Sequence, residues 1–220
     1  MGVKRMRILS INIGKPKTVE VNGERLVTGI YKTPVAGSVA VGKQNVAGDG
    51  QADLIHHGGE DKAICAYPSE HFAYWEQKYA RPFPPSSFGE NWTLSGLTEE
   101  NACLGDIYAA GTALVQVSQP RQPCSKLALR HRLPDLPKAV CQTGKSGFYF
   151  RVLKEGIVEP DAPLILIERG AGELSIAYMN HIYYHERDNI AALEQIAHHP
   201  ALSTSWREAF LHRLTNQRKR

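Results

Sequence analysis

Cysteine is scarce: four residues, spread through 220 with no CxxC pair. That argues against a disulfide framework or an iron–sulfur ligand set and suits a reducing compartment. No apolar run approaches the roughly 20 residues a membrane-spanning helix needs. The basic start, residues 1–7, leads into a strand-like, soon polar stretch rather than a signal peptide's apolar block. Gly2 lacks the Ser or Thr that a myristoylation motif requires. The expectation is therefore a cytoplasmic protein with no membrane partner. GxSxG and HExxH are both missing, so a serine hydrolase and a common zinc site have no support. The run Gln142-Thr143-Gly144-Lys145-Ser146-Gly147 is too short for GxxxxGK[ST] and has no βαβ context, which excludes a P-loop. No Rossmann fingerprint, internal repeat or low-complexity segment occurs. Net charge is modest, +4 with a pI near 8.8, a weak bias toward anionic ligands.

What is present is one good core's worth of chain plus an appendage. Residues 7–13 alternate as a strand, and residues 17–21 and 25–30 form a hairpin around Asn22-Gly23. A short strand at 38–41 precedes a loop that opens at Gly48-Asp49-Gly50 and reaches Glu60. Residues 69–78 carry Phe72, Trp75 and Tyr79 at helical spacing, with Ser69 as a candidate cap. Between 91 and 168 short strands alternate with Gly, Pro and Asp, which suggests a closed or nearly closed barrel. From 174 to 214 the pattern becomes three short helices, the last with Ser205 and Glu208 at capping-box spacing, before the basic tail Arg218-Lys219-Arg220. The fold expected is mainly β: a barrel domain over 1–170 and a three-helix module over 171–220. Such a module is either a packing or dimerisation unit or a helix-turn-helix. No basic cluster lies within its helices, which speaks against nucleic acid as a partner.

Three segments carry chemistry. In Ser118-Gln119-Pro120-Arg121-Gln122-Pro123-Cys124, two prolines stiffen the chain and Arg121 favours a thiolate at Cys124, a metal-binding or nucleophilic form. The plainer alternative is a small apolar filler. In His56-His57-Gly58-Gly59-Glu60-Asp61-Lys62, glycines permit close backbone approach and Lys62 offers a point charge for phosphate; the alternative is a polar surface turn. The third is Phe88-Gly89-Glu90-Asn91.

In this order, with Asp49-Gly50-Gln51-Ala52-Asp53, Tyr67-Pro68, Leu104-Gly105-Asp106-Ile107 and Thr143-Gly144-Lys145-Ser146-Gly147, the chain resembles the MOSC-domain family (molybdenum cofactor sulfurase C-terminal domain), in its bacterial YiiM group. The resemblance covers residues 7–168, and the C-terminal helices resemble that group's 3-alpha module. It implies a MOSC-type β-barrel binding the molybdenum cofactor, Mo-molybdopterin, with Cys124 as the protein ligand to molybdenum. Residues placed around that cofactor are Lys32, His57, Gly58, Gly59, Lys62, Asn91, Arg121, Cys124, Thr143 and Gly144. His57 and Asp61 are the candidates for handling protons beside Cys124. The implied activity is reduction of N-hydroxylated compounds, hydroxylaminopurines and amidoximes. Electrons would come from a separate flavin or iron–sulfur reductase, and a homodimer is compatible. The alternatives are a cofactor or sulfur carrier without turnover, and a metal-free thiol enzyme. Cys65, Cys103 and Cys141 are expected to be structural.

Overall fold

The computed structural model describes residues 5–21 and 23–217. Its strands are β1 (Arg7–Ile13), β2 (Lys17–Val21), β3 (Glu24–Thr28), β4 (Thr33–Pro34), β5 (Val39–Val41), β6 (Ile64–Pro68), β7 (Trp92–Ser95), β8 (Ile107–Ala110), β9 (Ala113–Pro120), β10 (Phe148–Lys154), β11 (Gly156–Val158) and β12 (Leu164–Glu168). The helices are α1 (Leu54–His57), α2 (Phe72–Tyr79), α3 (Ser125–His131), α4 (Leu136–Thr143), α5 (Ile176–Tyr184), α6 (Ile190–Ala197) and α7 (Thr204–Gln217).

Eight strands form one sheet in the order β12-β8-β9-β10-β6-β7-β1-β4. Its ladders are antiparallel except β6–β7. The sheet curls until its ends meet: Ile8 N donates to Ala162 O and Leu164 N to Met6 O, both at 2.9 Å. This near-closure hides strand edges that would otherwise pair with other chains. β2 and β3 form the expected hairpin, shorter at its end than the sequence suggested; Asn22 lies outside the described residues. β5 pairs with β11.

The stretch between β9 and β10, for which the sequence suggested no helix, holds α3 and α4. Each spans about two turns among Pro123, Pro134 and Pro137, too short for a helical period to show. The cap of α7 also differs from expectation. Ser203 Oγ accepts from Trp206 N at 3.3 Å, while Ser205 donates to Gln119 Oε1. Ser69 opens a 3-10 turn and makes no cap bond for α2.

The main apolar core does not stop at the barrel. Ile8, Trp92, Val115, Val117 and Phe150 belong to the same buried cluster as Ile176, Met179, Leu193, Trp206 and Phe210 of the last three helices. A second cluster, with Tyr67, Trp75, Phe83, Phe88 and Leu127, seats α2, α3 and α4 on the barrel's outer side. The basic tail 218–220 lies outside the described residues. Among the described residues no helix is long and apolar enough to cross a membrane.

Candidate active site

Strand alternation sets the floor of a cleft. In the β6–β10 register Cys65 faces Tyr149, flanked by the pairs Ala66–Phe148 and Ile64–Phe150. Successive side chains point to opposite faces, so the flanking residues enter the main core while Cys65 and Tyr149 face the cleft. β9 then delivers the wall. Past Pro120 the chain leaves the ladder, Arg121 N donating to Gly147 O at 3.0 Å, and Cys124 follows in extended conformation at the start of α3. Cys124 is half-buried, and Lys126 of α3 lines the same space.

A second wall is the turn over residues 86–91. The fully buried Glu90 carboxylate accepts from Ser86 N at 2.6 Å, Phe88 N at 2.9 Å and Thr93 Oγ1 at 2.9 Å. So held, Phe88 O accepts from Arg121 Nη2 at 2.5 Å. Gly89 adopts φ +73, and a Cβ there would sit 2.8 Å from Ile30 Cγ1, so only glycine fits. A third wall centres on Asp49, whose side chain is fully buried. It accepts from Lys32 Nζ, from Gly14 N at 2.9 Å and from Asn91 Nδ2 at 2.8 Å, and Asn91 Oδ1 accepts in turn from Cys65 N at 3.1 Å. The fourth wall is α1. Asp53 caps it, accepting from Ile55 N and His56 N, and His57 ends it. Lys62 Nζ donates to His56 O at 2.8 Å.

Lys32, His57, Lys62, Asn91, Arg121 and Cys124 therefore meet in one cleft of about 590 Å³, mouth included. Five expected residues are not part of its lining. Gly58 and Gly59 shape the turn after α1, Gly58 lying too close to Leu54 O for a Cβ and Gly59 at φ +95. Asp61 is turned away. Its Oδ1 accepts from Arg151 Nε at 2.9 Å and Nη2 at 2.6 Å, and its Oδ2 accepts from Thr204 N at 3.1 Å. Thr143 bonds back to Ala139 O within α4, and Gly144 is that helix's left-handed cap. Cys65, Tyr149, Gln51, Asp53 and Lys126 line the cleft without having been singled out as site residues. The pairing of Cys65 with Tyr149 depends on a register between segments about 80 residues apart, which local spacing does not contain.

Burial dominates the electrostatics. It pushes His57 down to about 4, helped by the charges of Arg121 and Lys126, so the imidazole is neutral near pH 7. Burial also lowers Lys62, raises Cys65 to about 11 and raises Tyr149 well above a free phenol. Glu90 is raised by burial too, against the pull of its hydrogen bonds and of Arg121. Arg121 Nη1 is buried without a protein partner. A guanidinium left short of one acceptor at a cleft wall is suited to a ligand anion or carbonyl. Among the described residues no cluster of three or more His, Cys, Asp or Glu side chains could hold a metal ion.

A curled, nearly closed β-sheet with a thiol presented beyond one strand, buttressed by three helices, matches the MOSC domain model over residues 53–164; the chain belongs to this family. Residues 174–217 match the YiiM-like 3-alpha helix domain. A crystal structure of YiiM from Geobacillus stearothermophilus is 69% identical and superposes with a TM-score of 0.83, covering 95% of this chain and 99% of that one. The uncharacterized protein YflK of Bacillus subtilis is 49% identical over 211 residues, 96% of each chain. A protein named Reductase from Gibberella moniliformis is 34% identical over 168 residues, 74% of this chain and 29% of that longer protein.

Proposed function

We propose that the chain is a molybdenum-cofactor-dependent reductase of N-hydroxylated compounds such as hydroxylaminopurines and amidoximes, with Cys124 as the protein ligand to molybdenum. The observation that carries this is the unpaired, buried Arg121 Nη1 in the cleft that also presents the Cys124 thiol. That donor set fits a pterin cofactor: a soft sulfur for the metal and unsatisfied positive charge for the anionic portion. The family's link to this cofactor and the fungal relative named as a reductase support the reading.

When bound, the cofactor supplies the two-electron redox chemistry. The protein's own residues do the rest. Cys124, held extended at the start of α3, offers its sulfur. Arg121, fixed by Phe88 O through one nitrogen, offers the other to an anion. Lys62 and Lys126 add positive charge to the lining. Lys32 does so less than its position suggests, because Asp49 already holds its ammonium. His57, neutral, serves as a hydrogen-bonding group rather than an acid. Asp61 ties the turn before β6 to β10 and to α7, and its role is support rather than proton transfer. The substrate is a small N-hydroxylated molecule, and its two electrons come from a separate flavin or iron–sulfur reductase.

The test is turnover of 6-N-hydroxylaminopurine with reduced viologen, for wild type and Cys124→Ser purified from cells that make the cofactor. The reading expects turnover in wild type and loss of at least about 100-fold in the variant, the scale for removing an activating group. Bound molybdenum without turnover in wild type would favour the carrier alternative.

A further inference from the structure

Of the two proton-handling residues expected from the sequence, His57 lines the cleft as a neutral imidazole and Asp61 does not line it. Asp61 is bound to Arg151 and Thr204 outside the cleft lining. Among the donors that do line it, Asn91 directs its amide hydrogens to Asp49 Oδ2 at 2.8 Å and Asn12 O at 3.4 Å. Lys32 is held by Asp49 and Lys62 by His56 O. Tyr149 differs. The β10 register places it opposite Cys65 on the cleft side of the strand, and its hydroxyl lies beside the Cys65 thiol. Its one protein hydrogen-bond partner among the described residues is that thiol, a weak acceptor that a substrate oxygen can displace. It lines the same cleft as Arg121 and Cys124.

We propose that the Tyr149 hydroxyl donates a hydrogen bond to the N-hydroxyl oxygen of the bound substrate. This rests on the reductase reading. A buried donor aimed where negative charge develops on a leaving oxygen acts without solvent reorganisation, which makes such a group effective. In the overall reaction the N–O bond breaks and two electrons arrive from the flavin or iron–sulfur reductase. Nitrogen takes one proton from water and the oxygen leaves as water with another; Tyr149 keeps its own. The donor also supplies specificity, because an amine product lacks the oxygen that it recognises.

Tyr149→Phe removes the hydroxyl, and the one protein partner it leaves is the Cys65 thiol, a weak acceptor. Two readouts on cofactor-loaded protein test the proposal, with molybdenum content and melting followed for both forms. In calorimetry wild type binds 6-N-hydroxylaminopurine about tenfold more tightly than adenine, the scale of one hydrogen bond, and the variant does not discriminate. With reduced viologen the variant's kcat falls about 100-fold and KM rises by up to about tenfold, in step with the lost hydrogen bond to substrate. 4-Aminophenylalanine at position 149 restores a donor and recovers both properties; should the Phe variant fail to fold, this residue is compared with O-methyltyrosine. Turnover within threefold of wild type in the donorless form would overturn the proposal. If wild type itself is inactive, the reductase reading fails and calorimetry decides alone. Discrimination in wild type that vanishes in the variant then sustains Tyr149 as the recognition group, and its absence or retention in both refutes it.

Discussion

His57 shows how a residue's surroundings settle its role. Burial and two neighbouring cations hold the folded-state imidazole down to about 4, against 6.5 for the ordinary side chain. The unfolded chain therefore binds a proton first as pH falls through 6.5, and stability declines from there until the folded form protonates near 4. His57→Gln should remove that part of the acid sensitivity. Urea midpoints of the cofactor-free protein at pH 7.5 and 4.5 will lie closer together in the variant than in wild type. Equal differences in the two proteins would mean that the imidazole is not sequestered. Cys124, Arg121 and Lys62 were legible as chemistry because adjacent glycines, prolines and charges announce them locally. Asp49, Cys65 and Tyr149 acquire their roles through partners distant in sequence: Lys32 and Asn91 for the first, a strand register for the other two. Asp61 shows the converse, since a carboxylate beside a Gly-rich turn looks catalytic until Arg151 is brought to it.

At the scale of elements, the turn over residues 86–91 governs the cleft more than any helix does. One carboxylate, Glu90, accepts from two backbone amides and one hydroxyl, and the carbonyl so positioned holds Arg121. Glu90→Ala leaves buried donors unpaired, at roughly 1–3 kcal/mol each. The expected outcome is a loss of about 3 kcal/mol in denaturant unfolding together with weakened molybdenum retention, because Arg121 is released. A variant that unfolds more easily but retains metal as wild type does would separate the turn from the cofactor. Most strands were readable from their alternation and turn residues. The helices α3 and α4 were not, because two turns bounded by prolines carry too little periodicity.

Over the whole molecule, the sequence suggested a barrel over 1–170 followed by a three-helix module over 171–220, and the change in secondary structure falls near residue 171. The core does not respect that boundary. Leu174, Ile176, Met179 and Leu193 pack in the same cluster as Ile8, Val115 and Val117. Ser203 N donates to Ser118 O on the strand that delivers Cys124, and Thr204 N donates to Asp61. The helices thus brace the segment that presents the thiol. Calorimetry should record one cooperative unfolding transition rather than two. A chain ending at residue 170 should fail to melt cooperatively, having exposed the barrel side of that cluster; an independently folded, metal-retaining truncation would contradict the bracing role.

The central claim is that Cys124 binds molybdenum, and X-ray absorption at the molybdenum edge tests it most directly. Wild type and Cys124→Ser, prepared from cells whose other molybdoenzymes are loaded, should differ by one sulfur in the metal's first coordination sphere, wherever the variant retains metal at all. A wild-type protein without molybdenum, or an unchanged sulfur count in the variant, would contradict the account.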